Sequence, residues 1–232
     1  LINPPIDNII ETEIPLLVRQ NEGIFPPLGL LYIASYLNKE TGYDVEVLDS
    51  IAERKSYEEI ERFIRNYHPD IVGITAHTHN LIDVILVADI VKKIDKRIHV
   101  CLGGPHVSVF PRESISMNSV DFAIPGEGEE AFFELVKTIE DKRDLNEVRG
   151  ILFKRDSKII STTEREDIRD LDALPFPARI KLDYKKYYSI LGTGDSMTTI
   201  ASSRGCPYEC IFCSTPRGIY RERSPESIVN EM

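Results

Sequence analysis

The sequence predicts an α/β fold: a doubly wound parallel sheet of five strands, then a β-hairpin and linker, then the opening strand–helix unit of a barrel. Three observations carry this. Over residues 1–140, short β-branched apolar runs alternate with helical patterns. From about residue 143 a hairpin pattern and a proline-rich stretch replace that alternation. Near the C-terminal end a strand pattern leads into a loop of three cysteines and then a helix start. The expected boundaries are 1–142, 143–196 and 197–232.

The strand candidates are Leu1–Asn3, Asp44–Asp49, Asp70–Thr75, Ile98–Gly103 and Asp121–Ile124. They are nearly continuously apolar, as parallel strands covered on both faces are. Helical stripes at i, i+3, i+4 and i+7 lie between them: Leu30, Ile33, Ala34 and Leu37; Ile60, Phe63, Ile64 and Tyr67; Leu81, Val84, Ile85 and Ala88; Phe132, Leu135, Val136 and Ile139. Pro26 and Pro27 precede the first helix, and Ser56 with Glu59 three residues on forms a capping signal for the second. A β-α-β-α order implies right-handed crossovers and a Rossmann-like, flavodoxin-like sheet.

Gly150–Phe153 and Lys158–Ser161 flank the polar turn Lys154-Arg155-Asp156-Ser157, which reads as a hairpin. Leu174-Pro175-Phe176-Pro177-Ala178-Arg179 resists helix and suits a connector, with Tyr184, Tyr187 and Tyr188 packing it against a domain. Thr198–Ser202 reads as the strand before the cysteine loop. Ser224 as N-cap and Pro225 at the first helical position start the closing helix.

Hydrophobic residues make up 42% of the 232, enough for a sizeable core, and no run reaches the ~18 apolar residues of a membrane span. The net charge of −10, from 38 acidic and 28 basic residues, disfavours a nucleic-acid surface. Arg217, Arg221 and Arg223 form a local basic stretch that reads as a solvated loop. Nothing resembles a signal peptide, and sparse cysteine points to a reducing, cytoplasmic setting. The chain runs from Leu1 to Met232, about twenty residues past Cys213, and is expected to be a fragment lacking most of its barrel.

Cys206, Cys210 and Cys213 stand in Arg204-Gly205-Cys206-Pro207-Tyr208-Glu209-Cys210-Ile211-Phe212-Cys213, a C-x3-C-x2-C spacing. So short a loop wraps three thiolates round one small object. An iron–sulfur cluster fits, and three ligands to four irons leave one iron open for chemistry. A structural zinc site needs four ligands, and only Cys210 and Cys213 form a Cys-x2-Cys pair here. Cys101 lies in an apolar run and reads as a small buried hydrophobe.

The cysteine spacing, with an aromatic residue before the last cysteine, resembles the signature of radical S-adenosylmethionine enzymes. The resemblance extends upstream. Asn3-Pro4-Pro5, Phe25-Pro26-Pro27-Leu28-Gly29-Leu30, Gly103-Gly104-Pro105-His106, Gly126-Glu127-Gly128-Glu129 and Arg204-Gly205-Cys206, in that order, are similar to the cobalamin-binding branch. That branch holds anaerobic magnesium-protoporphyrin ester cyclases and C- and P-methylases. The resemblance implies a 4Fe–4S cluster on Cys206, Cys210 and Cys213 that binds and reductively cleaves S-adenosylmethionine, cobalamin as methyl carrier, and an electron donor such as flavodoxin or ferredoxin. It implies that Thr75, His77, Thr78, Gly103, Gly104, His106, Gly126, Glu127 and Gly128 line the corrin, with the nucleotide tail passing into the sheet edge. Phe212 packs near the adenine or shields the cluster.

The strand ends, where open α/β sheets bind ligands, agree with that set. No G-x-G-x-x-G follows the first strand, so a dinucleotide is disfavoured. Asn3-Pro4-Pro5 also replaces the Asp-x-His-x-x-Gly loop of methionine-synthase-like domains, so no histidine from that loop meets cobalt. His68 reads as solvated and His99 as structural, while His77, His79 and His106 fall at strand ends. Glu127 and Glu129 have a second reading, as acidic residues favouring a helix N-terminus. A methylthiotransferase would need three further cysteines where only Cys101 stands. A non-catalytic cofactor module with a zinc tail, or a radical enzyme that has lost cobalamin, are the remaining readings. The substrate, whether small molecule, peptide, tetrapyrrole or lipid, is not written in these residues.

Overall fold

The computed structural model describes residues 1–8, 23–189, 196–208, 210–213 and 218–232. Arg217, one of the basic residues singled out above, lies outside them. Five short parallel strands form the sheet: β1 (Ile2–Asn3), β2 (Leu48–Asp49), β3 (Ile71–Thr75), β4 (His99–Gly103) and β5 (Phe122–Ala123). Their order is β2-β1-β3-β4-β5, the flavodoxin-like arrangement, with the strand order reversing between β1 and β3.

The helices follow as α1 (Leu28–Glu40), α2 (Tyr57–Tyr67), α3 (Leu81–Ile94), the short α4 (Pro105–Val109) and α5 (Pro111–Ser116), and α6 (Glu129–Glu140). Strand residues alternate between the two faces. Ile2, Val72, Ile74, Val100 and Leu102 pack with Ile60 and Ile64 of α2 and Val84, Val87, Ala88 and Val91 of α3. Cys101, Phe122 and Ile124 pack with Leu30, Leu31, Ala34 and Leu37 of α1 and Ala131, Phe132 and Leu135 of α6. The α3 stripe differs from the expected one: Val87 and Val91 are buried, and Ile85 is exposed. Helix α2 carries the expected capping box. The Ser56 hydroxyl accepts from the Glu59 N–H and the Glu59 carboxylate accepts from the Ser56 N–H. Ser56→Ala is expected to cost about 1 kcal/mol, read as a lower urea midpoint with unchanged slope.

The hairpin is present as β6 (Leu152–Arg155) and β7 (Lys158–Ser161). It adds antiparallel to β5 and widens the sheet to seven strands. Leu152 and Phe153 are buried there, and the turn residues Asp156 and Ser157 both take positive φ (51° and 61°), the twist that suits a two-residue hairpin. The linker then docks on the sheet unit. The Ala178 N–H donates to the Leu31 carbonyl, and residues 24 and 188 exchange backbone hydrogen bonds. Tyr187 is buried.

Thr198–Ser202 is not a strand. The strand falls later, on β8 (Ser203–Cys206), and pairs antiparallel with β9 (Gly218–Glu222) before α7 (Pro225–Glu231). In the segment before β8, the Arg179 guanidinium donates to the Thr198 hydroxyl and the Thr199 carbonyl, and the Ser202 carbonyl accepts the Arg223 N–H where the ribbon begins. Helix α7 starts as expected, with the Ser224 hydroxyl accepting from the Ser227 N–H and Pro225 in the first turn.

Candidate cofactor cleft and cysteine loop

A cleft of about 710 Å³ opens at the carboxyl ends of β1, β3, β4 and β5, at the point where the strand order reverses. Thr75, His77, Gly103, Gly104, Gly126, Glu127 and Gly128 line it, as expected. His79 and Arg204 join them. An inner arm reaches mid-sheet, to Gly73, Cys101 and Phe132. A Cβ on Gly73 would sit 3.3 Å from the Phe132 ring and closer to Leu1, so only glycine leaves that arm open. Gly73 was absent from the sequence-based set. A lone glycine inside an apolar strand was the signal for it. A second cavity, of about 570 Å³, lies at the amino ends of the strands beside Tyr43, Tyr67 and His99. It shares Leu1 and Phe132 with the first, but its lining includes none of the glycine-rich strand ends and no residue of the cysteine loop.

The glycines of the cleft differ in purpose. Gly104 has φ 97°, and a Cβ there would lie 2.8 Å from Thr75 Oγ1 and 2.9 Å from the Ala76 carbonyl. It lets the strap after β4 lie against the end of β3, where the His106 N–H donates to the Ala76 carbonyl. Gly126 has φ 77° with open space where its side chain would be, so it shapes a cradle that a Cβ would partly fill. Thr78 and His106 do not reach the cleft. The His106 ring is buried behind it, with Nδ1 3.1 Å from Thr78 Oγ1 and Nε2 without a partner among the described residues. His77 and His79 sit ring to ring, 5.3 Å between centroids. Burial and the neighbouring imidazole hold His77 below the usual histidine range, hence neutral at pH 7.

The cysteine loop leaves the rim of this cleft. Cys206 is half-buried at the end of β8, Cys210 and Cys213 are exposed, and the Cys213 N–H donates to the Cys210 carbonyl. Phe212 is exposed. Among the described residues, no three His, Cys, Asp or Glu side chains converge as a metal site. Three thiols on one short exposed loop are nonetheless the donor set a cluster with an open iron takes. Cys101 is buried, and burial pushes its thiol well above the usual range, consistent with a packing role.

Of the basic stretch, Arg221 and Arg223 are not solvated loop residues. Arg221 donates to Glu127 (3.0 Å) and to the Ile168 carbonyl (2.6 Å). Arg223, buried, pairs with Glu231. Arg204 reaches Glu127 at 3.2 Å and Glu129 at 2.6 Å and lies over the Tyr32 ring, 4.9 Å from its centroid. Burial works to raise the Glu127 carboxyl, but Arg221, the Ile168 N–H and Arg204 outweigh it and hold it below the usual range. Glu127 is therefore a carboxylate whose oxygens are already engaged by the cysteine ribbon. Pairing over 77 residues hid this from the sequence.

Curated relatives agree with this architecture. The chain is 35% identical over 211 residues to an uncharacterized methyltransferase of Pyrococcus horikoshii, covering 89% of this chain and 45% of that protein. It is 32% identical over 219 residues to the anaerobic magnesium-protoporphyrin IX monomethyl ester cyclase of Rubrivivax gelatinosus, covering 90% and 39%. The chain thus spans less than half the length of these relatives. The solved radical S-adenosylmethionine methyltransferase TsrM of Kitasatospora setae, with cobalamin and a [4Fe-4S] cluster bound, superposes with TM-score 0.69 at 19% identity over 90% of this chain and 42% of that one, a shared fold. Among the described residues, no helix is long and apolar enough to cross a membrane. Residues 14–136, more than half of the chain, match the model of the B12 binding domain, and the chain belongs to that family.

Proposed function

We propose that this chain is the cobalamin-binding and cluster-bearing part of a radical S-adenosylmethionine enzyme that methylates or cyclises its substrate. The observation that carries the reading is the shared rim: Arg204, two residues before Cys206, lines the same cleft as the glycine-rich strand ends. Cys206, Cys210 and Cys213 would hold the cluster. Gly103, Gly126 and Gly128 present backbone without side chains to a broad, flat ligand, which allows close approach. The inner arm at Gly73 and Phe132 suits a nucleotide tail, and neutral His77 can meet the ligand without bringing a charge. Phe212, next to Cys213 in the chain and exposed, would stack on an adenine or cover the cluster. Cluster and S-adenosylmethionine together supply a radical, and cobalamin supplies a methyl carrier. The electron would come from a flavodoxin- or ferredoxin-like donor. The partition into 1–142, 143–196 and 197–232 stays part of the proposal, with the hairpin joined to the sheet of the first unit.

An anaerobic titration with hydroxocobalamin tests the reading. One-to-one binding with a base-off visible spectrum is the expected result, and absence of binding would overturn it.

A further inference from the structure

Arg204 and Arg221 stand directly opposite each other across the β8–β9 ribbon. Like charges so placed repel, and both side chains are largely buried, at 19% and 9% exposure. Glu127 resolves the conflict by bridging them, one carboxylate oxygen on each guanidinium. Its second oxygen also accepts the Ile168 N–H at 2.7 Å, while the Ile168 carbonyl accepts from Arg221. Glu129, buried, takes the other arm of Arg204. Three separate stretches of chain thus meet on one carboxylate, and that carboxylate lies between Gly126 and Gly128 on the wall of the cleft.

Gly205 has φ 84°, and a Cβ on it would lie 2.5 Å from the Ile219 carbonyl, so the strands are in contact immediately before Cys206. That contact lies between Arg204 and the start of the cysteine loop.

We propose that Glu127 is a positioning residue that couples the cleft to the cysteine loop, so that filling either one favours filling the other. The proposal rests on the cobalamin and cluster reading above. A ligand against Gly126 and Gly128 fixes the Glu127 carboxylate. That carboxylate holds Arg204, and Arg204, two residues before Cys206, sets the loop that carries the thiolates. Coupling between sites is reciprocal, so it can be read from either side.

The test is equilibrium dialysis with hydroxocobalamin on the protein before and after cluster reconstitution with iron and sulfide. Cobalamin is expected to bind about tenfold tighter once the cluster is in place, within the usual range of such couplings. In Glu127→Gln the ratio should fall to about one. Arg221→Gln removes the facing charge but leaves the Glu127–Arg204 contact, so it should keep most of the ratio. A merely structural role for the ion cluster would weaken both variants alike. A wild-type ratio near one, or an undiminished ratio in Glu127→Gln, overturns the coupling. If Glu127→Gln does not fold, Arg204→Lys takes its place, since it keeps charge but loses the fork that spans Glu127 and Glu129. Absence of any cobalamin binding by the wild type would instead remove the reading beneath it.

Discussion

Gly103→Leu is expected to weaken cobalamin binding about a hundredfold while leaving the fold in place. Gly103 ends β4 opposite Thr75, on the wall of the cleft. A Cβ added there meets only the Ile124 carbonyl, at 3.8 Å, an ordinary contact. The branched end of the leucine must then extend into the space the ligand would fill. Replacing a strand glycine also reduces the entropy lost on folding, by about 0.5–1 kcal/mol, so the melting temperature should hold or rise slightly. A hundredfold loss of affinity, about 2.7 kcal/mol, is the expected scale for filling part of the cleft. Gly104→Leu supplies the contrast. Its φ of 97° and its 2.8–3.0 Å approaches to Thr75 and Ala76 make any side chain a strain on the backbone itself. That variant should melt early and lose binding with its fold. Visible titration with parallel thermal melts separates the two. Wild-type affinity in a folded Gly103→Leu protein would show that cobalamin sits elsewhere.

The contrast between neighbouring glycines shows where the sequence is legible and where it stops. Continuous apolar runs marked all five parallel strands, because a strand covered on both faces has no polar side to show. The glycine-rich ends marked the cleft, because fold class alone fixes where such sheets bind ligands. Periodicity missed α4 and α5, which are five and six residues long and too short to display a stripe. Their prolines in the first turn were the readable trace. The hairpin was legible as a hairpin, but not its place at the sheet edge, since alternation does not name a partner. Arg221 and Arg223 were misread for a related reason. Charge in a sequence says nothing of which carboxylate meets it: Arg221 meets Glu127 in the loop before α6, and Arg223 meets Glu231 of α7. His106 and Thr78 show the limit of strand-end position, as they pair with each other and leave the cleft to His77 and His79.

The same kind of long-range carboxylate holds the linker, and its removal should be the most costly single change to the fold. Asp49 ends β2 and is 1% exposed. Its Oδ1 accepts the Asn3 amide at 2.9 Å and the N–H groups of Ile51 and Ala52 at 3.2 and 3.3 Å. Its Oδ2 accepts the Tyr187 hydroxyl at 2.9 Å. One side chain thus joins β1, the turn after β2 and a linker residue 138 positions away. Burial and the Asp49 carboxylate both push the Tyr187 phenol above its usual range, so it remains a donor at every ordinary pH. Asp49→Ala would orphan the Asn3 amide and the Tyr187 hydroxyl inside the protein. At about 1–3 kcal/mol for each of these two buried groups left unpaired, the loss is about 2–6 kcal/mol, a large part of the 5–15 kcal/mol that holds a typical domain. Tyr187→Phe removes one hydroxyl, keeps the ring in its pocket, and should cost about 1–3 kcal/mol. Urea unfolding of the two variants gives the comparison. If Asp49→Ala proves no worse than Tyr187→Phe, the carboxylate is not the joint between sheet and linker. A large gap between them would place the weight on the Asn3 and turn contacts, which set the end of β1 at the mouth of the cleft.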